Sequence, residues 1–277
     1  MPLFQLFVLA AIQGITEFLP ISSSGHLVLV PQFTGWTDQG LLIDVAVHTG
    51  TLLAVILYFS RDLAAMTGAM FRSLKQISSR RSLDKEFWLV WKLVIATLPV
   101  VFAGYLMNTY LENAFRSLEV IGWTTLGFGV LLFFADKLNM TIRSIEHITF
   151  QGALVIGLFQ ILALIPGTSR AGITMTAARF QGVERQDAAR FSLILSIPVI
   201  VAAGTLKGIE LYQSGNEILF RDALTAAAMA FGFALIAITF LMVWLKRASF
   251  TPFVIYRIIL GAVLLSIAYK FPAIWPL

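Results

Sequence analysis

Five stretches of the chain, roughly 42–60, 87–107, 119–136, 222–245 and 252–270, are apolar and long enough to cross a bilayer as helices. A sixth, roughly 188–206, is free of charge from Phe191 to Leu206. Inside lipid every backbone polar group must find a partner within the protein, so spans of this kind fold as helices. Composition agrees: 58% of the 277 residues are hydrophobic and 13% charged, against about 45–50% and about 25% in soluble domains. A soluble globular domain is excluded, and so is a disordered chain, which needs the opposite composition. The expectation is an all-α integral membrane protein with one polytopic domain over 1–277. The first apolar stretch lacks a basic leader and runs into a polar segment, so no cleavable signal peptide is expected. With no cysteines there are no disulfides, thiolate nucleophiles or cysteine metal sites.

Two further apolar stretches are interrupted. Residues 3–34 contain QGITEFLPISSSGH (13–26), and residues 148–183 contain PGTSRAG (166–172). Irregular backbone survives at membrane depth only when buried in protein or lining a wet cavity. Each half-segment is also short for a full crossing. Both read as re-entrant helix–break–helix pairs, giving six transmembrane helices plus two re-entrant pairs.

Charge tests that topology. If both pairs return to their own side, loops 61–86, 137–147, 179–190 and 246–247 share a face. They hold Arg61, Arg72, Lys75, Arg80, Arg81, Lys85, Lys137, Arg143, Arg179, Arg185, Arg190, Lys246 and Arg247, against Arg116, Lys207, Arg221 and Lys270 opposite. The 13-to-4 asymmetry names the first face cytoplasmic and puts both termini outside. The net charge of +5 is accounted for by orientation, not by nucleic acid. The basic stretch 72–85 reads as a solvated connector. A shift of 146 residues sets Ile15 on Ile161, Pro20 on Pro166 and Ser23 on Ser169. The halves, about 1–137 and about 148–277, therefore read as an inverted-topology repeat whose breaks meet near the midplane.

The breaks carry the polar chemistry. Gln13 and Glu17 are four apart and share a helix face. After Pro20, the serines Ser22, Ser23 and Ser24 stand where hydroxyls cap a helix start, and His26 lies one turn beyond Ser23. A lone serine there needs no role beyond capping, but a carboxylate, a hydroxyl and an imidazole together at membrane depth point to a site. In the second break the free N–H groups of a helix start and the planar charge of Arg170 suit phosphate oxygens, and Thr174 shares the face of Arg170. His48, with Thr49–Gly50–Thr51, either lines the cavity or packs helices through small residues. Arg257 reads as an interfacial anchor or a member of an ion pair, Pro99 and Pro198 as tolerated kinks, and Tyr269 and Trp275 as belt aromatics.

QGITEFLPISSSGH, DVAVHTGTLLAV, PGTSRAGITMT and the late PFVIYR resemble, in order and spacing, the undecaprenyl-diphosphate phosphatase, or bacitracin-resistance, family. The resemblance implies a multi-pass enzyme of the bacterial inner membrane with a transporter-like inverted repeat and a site open to the periplasmic side. It implies hydrolysis of undecaprenyl diphosphate to undecaprenyl phosphate and inorganic phosphate, which recycles the carrier for peptidoglycan synthesis and confers bacitracin resistance. It also implies a divalent cation, Mg²⁺ or Ca²⁺, for which Glu17 and Gln13 are the candidate ligands. Ser23 is then the expected nucleophile and His26 its base or the leaving-group acid. Glu17 orients His26, binds metal, or does both, and direct attack by water with Ser23 positioning phosphate stays open. Arg170, Ser169, Thr168 and Gly167, with Ser22 and Ser24, are the expected phosphate ligands, supported by Gln13, Gly25 and Thr174. A polyprenyl-phosphate flippase or secondary transporter is the competing reading, since broken inverted helices also build transporters. The partners expected are the polyprenyl diphosphate lipid and the bilayer; a homodimer is compatible with the sequence but not specified by it.

Overall fold

A computed structural model describes residues 1–37, 40–78, 83–110, 117–138, 143–213 and 217–270. Trp275 lies outside the described residues. Among these the chain is helical, with one isolated bridge between Arg143 and Val183 in place of any sheet. The α-helices are α1 (Leu3–Thr16), α2 (Ser23–Thr34), α3 (Leu41–Tyr58), α4 (Ser60–Ser78), α5 (Lys85–Tyr110), α6 (Leu118–Leu138), α7 (Phe150–Ile161), α8 (Arg170–Phe180), α9 (Arg185–Gln213), α10 (Glu217–Trp244) and α11 (Thr251–Lys270). Four of them, α5, α6, α10 and α11, contain segments long and apolar enough to cross a membrane, and α3 with α4 makes a fifth if the bent pair is one span. Their outward faces are apolar: Phe102 and Tyr105 on α5 and Ile236 and Val243 on α10 are all exposed, which suits lipid and not water. Helices α5 and α9 continue through Pro99 and Pro198.

Expectation and structure part in three places. Residues 61–78, expected as loop and from 72 onward as solvated connector, are helix, and α4 is bent 74° from α3 at Phe59. Its apolar side is buried through Met66 and Ala69 while Arg61 and Arg72 stay exposed, so an amphipathic pattern had been hidden by its low overall hydropathy. Residues 79–82 of the expected connector lie outside the described residues. Second, Arg179 and Arg185 are not free loop charges: both pair with buried Asp136, at 3.3 and 2.7 Å.

The third concerns repeat register. Ser22 and Ser169 are the only non-glycine residues with positive φ among the described residues, at 75° and 70°. Each caps the following helix, accepting from Gly25 N and Gly172 N. Gln13 and Gln160 are both fully buried. These equivalences fall at a shift of 147, while Pro20 and Pro166 pair at 146: in the second break the gap from Gln to Pro is one residue shorter and the gap from Pro to the capping serine one residue longer. Helix pairing is reciprocal as well. Helix α1 packs on α10 as α7 packs on α5, α3 on α10 as α9 on α5, while α3 meets α9 and α6 meets α11.

Helix α8 sits at the centre. Every residue from Ala171 to Arg179 is buried, so α8 packs against protein all round, with small residues such as Ala171, Gly172, Ala177 and Ala178 set among the larger Ile173 and Met175. Close approach recurs where α3 meets α10: a β-carbon on Gly50 would lie 2.1 Å from the Ala227 carbonyl oxygen. Gly50→Ala should therefore force α3 and α10 apart and cost about 1–3 kcal/mol. Gly127→Ala, where nothing lies within 4 Å, should be neutral or slightly stabilising. Thermal midpoints in detergent compare the two, and equal midpoints would contradict the packing described.

Candidate active site

The first helix ends at Glu17, whose N–H still bonds to the Gln13 carbonyl. The chain then turns through Pro20 and Ile21 to the left-handed Ser22. The second helix pair does the same with a 3₁₀ turn at Leu162–Leu164, followed by Pro166, Gly167 at φ 90° and the left-handed Ser169. Gly167 has two reasons to be glycine. Its conformation is left-handed, and a β-carbon would lie 2.1 Å from Thr124 Oγ1. The breaks touch, since a β-carbon on Gly25 would come within 3.4 Å of Gly167 Cα.

Glu17 is the hub. Its carboxylate is 7% exposed and a buried carboxylate without partners costs several kcal/mol. Partners come from three elements. Ser23 Oγ donates to Oε2 at 2.6 Å, Gln13 Nε2 to the same oxygen at 3.0 Å, and Arg170 Nη2 to Oε1 at 3.4 Å. Arg170 also donates through Nη1 to the Ser192 carbonyl at 3.0 Å. Thr174 Oγ1 lies 2.7 Å from Ser192 Oγ. Ser192 on α9 is a supporting residue that carried no sequence signal beyond being a polar side chain in an apolar helix.

His48 is the second group that sequence reasoning left between two roles. Gly50 explains the small-residue packing of α3, yet His48 also reaches the site: its Nε2 is 3.7 Å from Glu17 Oε2 and its Nδ1 is 2.7 Å from the Asp44 carbonyl. A carbonyl only accepts, so Nδ1 carries the proton and Nε2 faces the carboxylate. The expected Ser23–His26 pair is not brought together. The Ser23 hydroxyl donates to Glu17, while His26 holds the Ser22 carbonyl through Nδ1 at 2.6 Å and the Tyr256 hydroxyl through Nε2 at 2.6 Å. One helical turn brings the two residues near in sequence terms, but the turn at Ser22 aims the Ser23 side chain back toward α1.

Of the other expected phosphate ligands, Ser22 and Ser169 spend their hydroxyl oxygens on helix caps, and Ser24 lies exposed 3.4 Å from Ser22 Oγ. Three buried polar atoms at the breaks have no hydrogen-bond partner: Gln13 Oε1, Thr168 Oγ1 and Arg170 Nε. Orphaned buried groups are rare and call for a ligand or water. They come from both breaks, and two of the residues, Gln13 and Arg170, also bond Glu17.

Arg257 holds the breaks together. It is fully buried and donates to five carbonyls: Thr125 at 3.0 Å, Pro20 at 3.3 Å, Thr124 at 3.4 Å, Gly167 at 3.0 Å and Thr168 at 2.9 Å. It is neither an interfacial anchor nor, among the described residues, part of an ion pair. A separate cavity of about 480 Å³ includes Asp62, Lys85, Lys92, Glu146 and Arg190 in its lining, and none of its lining residues belongs to either break. Its cations are already engaged, Arg190 by Asp62, Lys85 by Glu146 and Lys92 by the Glu146 carbonyl.

The family described as Bacitracin resistance protein BacA matches residues 6–263 of the chain. The chain belongs to this BacA family. Relatives named undecaprenyl-diphosphatase include those of Roseobacter denitrificans, 49% identical over 272 residues, and Dinoroseobacter shibae, 49% identical over 271; each alignment covers 98% of this chain and 100% of the relative. Undecaprenyl-diphosphatase 1 of Rhodospirillum rubrum is 49% identical over 284 residues, covering 100% of this chain and 99% of the relative. The BacA match takes in both breaks, Arg257 and His48.

Arg257→Lys tests the clamp. An ammonium has three donors and no planar fork, so carbonyls at one or both breaks lose their partner, at about 1–3 kcal/mol for each buried group left unpaired. The thermal midpoint should fall clearly below that of the parent. A midpoint unchanged in Arg257→Lys would show that the breaks hold without the clamp.

Proposed function

We propose that this BacA-family chain hydrolyses undecaprenyl diphosphate to undecaprenyl phosphate and inorganic phosphate in the bacterial inner membrane, returning the lipid carrier to peptidoglycan synthesis and so conferring bacitracin resistance. The observation that carries the reading is the set of partnerless polar atoms from both breaks, Gln13 Oε1, Thr168 Oγ1 and Arg170 Nε, together with the carboxylate of Glu17 that Ser23, Gln13 and Arg170 all bond. The names of relatives about half identical over the whole chain support the same substrate.

The reaction needs in-line positioning and charge stabilisation. Ser23 Oγ attacks the terminal phosphorus as its proton passes to Glu17 Oε2, 2.6 Å away. The bond from that phosphorus to the bridging oxygen breaks, and undecaprenyl phosphate leaves. Water then cleaves the phosphoserine to release inorganic phosphate and restore the Ser23 hydroxyl. Arg170 stabilises the equatorial oxygens through its partnerless Nε and its Nη groups, with Thr168 Oγ1 and the N–H groups at the start of α8. Gln13 steadies Glu17 and Thr174 steadies Arg170 through Ser192. His26 stands on the other side of the Ser22 turn, where it orders the first break; Gly25 lets the second break approach.

A divalent cation, Mg²⁺ or Ca²⁺, belongs to this reading. Among the described residues no group of three His, Cys, Asp or Glu side chains is placed to hold one. Glu17 and the partnerless Gln13 Oε1 still fit a hard cation that draws the rest of its shell from phosphate oxygens and water. When bound it neutralises the phosphate charge.

The architecture proposed for the membrane is six crossings, with α3, α5, α6, α9, α10 and α11 spanning. The pairs α1–α2 and α7–α8 are re-entrant from opposite faces, in an inverted repeat. The reciprocal helix pairing and the matched left-handed caps support it. The site then opens outward, where a diphosphate head can enter while its tail stays in lipid.

Two experiments test these statements. Purified protein in detergent micelles should release phosphate from a polyprenyl diphosphate, where vectorial transport has no meaning. Ser23→Ala should lower turnover by orders of magnitude with substrate binding largely kept; near-normal turnover would transfer the attack to water. For topology, the cysteine-free chain permits clean single-site labelling. Thr37→Cys and Thr67→Cys, both exposed, should react from opposite sides of intact cells, and reaction from one side contradicts the six-span arrangement.

A further inference from the structure

We propose that Tyr256 is a positioning residue for the phosphatase reaction above, acting through His26 on the left-handed turn that presents Ser23. The inference rests on that functional reading and adds a residue to it. Tyr256 and His26 are 230 positions apart in sequence, yet the Tyr256 hydroxyl lies 2.6 Å from His26 Nε2. The two rings lie nearly parallel, with centroids 5.8 Å apart and planes within 10°, and meet edge to edge at the hydrogen bond.

The polarity of the chain of bonds is fixed by its far end. The Ser22 carbonyl, 2.6 Å from His26 Nδ1, can only accept, so Nδ1 carries the proton. In the neutral ring Nε2 is then the acceptor, and the Tyr256 hydroxyl donates to it. Hydroxyl, imidazole and carbonyl form one directed line from α11 into the first break. The residue at the end of that line is Ser22, with φ 75° and ψ 94°. A non-glycine residue there is strained by about 1–3 kcal/mol and persists only where its surroundings hold it.

The carbonyl that His26 grips belongs to the peptide joining Ser22 to Ser23. That peptide is planar, so fixing the direction of its carbonyl fixes the N–H and Cα of Ser23 as well, and with them the hydroxyl 2.6 Å from Glu17. His26's own backbone N–H also points at this oxygen, at 3.3 Å, but that bond is the ordinary first turn of α2 and does not select the left-handed state. The imidazole does, and the Tyr256 hydroxyl holds the imidazole. Tyr256 precedes Arg257, which binds the Pro20 carbonyl of the same break. Two consecutive residues of α11 therefore secure the first break, one on each side of Ile21. Tyr256 is 42% exposed, so its hydroxyl is not there to satisfy a buried ring.

Tyr256→Phe keeps the ring and removes only the hydroxyl. It should lower kcat roughly ten-fold, the scale of one lost hydrogen bond, with KM and thermal midpoint unchanged. In a His26→Ala background the same substitution should change nothing further, because the line is already cut. Wild-type kcat in Tyr256→Phe overturns the proposal. So does an equal drop in both backgrounds, which would mean that Tyr256 acts independently of His26, and so does a change in KM alone, which would put the hydroxyl on substrate. A readout free of turnover is the rate at which Ser23→Cys reacts with a small thiol reagent. Adding Tyr256→Phe should shift that rate severalfold, and an unchanged rate overturns the positioning role. Absence of phosphate release by the wild type would remove the phosphatase reading alone, and the thiol rate would then decide the role of Tyr256.

Discussion

Five main-chain carbonyls converge on the guanidinium of Arg257, and the rest of the site depends on that convergence. A helix that breaks inside a membrane strands carbonyls that neither lipid nor the next turn can satisfy. In this chain one side chain on α11 takes a carbonyl of the first break, Pro20, two of the second, Gly167 and Thr168, and two of α6, Thr124 and Thr125. Only a planar cation with five donors can do so. Its charge is held by dipoles alone, so it adds no second carboxylate to compete with Glu17 for Arg170. The cost of burying a guanidinium is offset by closing both breaks at once.

With the breaks clamped, the chemistry follows from what they face. The first supplies a carboxylate and a hydroxyl; the second supplies a cation and a helix start. Neither break alone would tolerate its own polar groups: Glu17 would be an unpaired buried anion, Arg170 an unpaired buried cation. Together they neutralise each other at 3.4 Å. Arg170 Nε, Thr168 Oγ1 and Gln13 Oε1 have no protein partner, and on the reading proposed above they are the groups that meet the phosphate.

Much of this was legible before any coordinates. The helical class, the two breaks, and Glu17, Ser23 and Arg170 followed from hydropathy interrupted by polar residues, because such residues are expensive in lipid. The rest is not. Most of α4 falls in the expected loop 61–86, because its amphipathic pattern has a low mean hydropathy. Spacing placed His26 on Ser23, but spacing assumes an unbroken helix, and the left-handed Ser22 redirects both side chains. The partners of Arg257 could not be read from sequence, since backbone carbonyls carry no residue-type signal. Sequence leaves His48 between two roles and gives Ser192 none, since a polar side chain on a helix does not say which neighbour it faces; the packing of α3 and α9 does.

The central claim is that two breaks from separate halves of the chain form one site acting on one phosphate. The most direct test is a double-mutant cycle between them. Turnover of a polyprenyl diphosphate would be measured for Ser23→Ala, Arg170→Gln and the pair. Residues that act on the same transition state lose non-additively, so the double variant should be little slower than the slower single. If the two losses simply add, as they do for distant and independent positions, the breaks do not act as one site and the account is wrong.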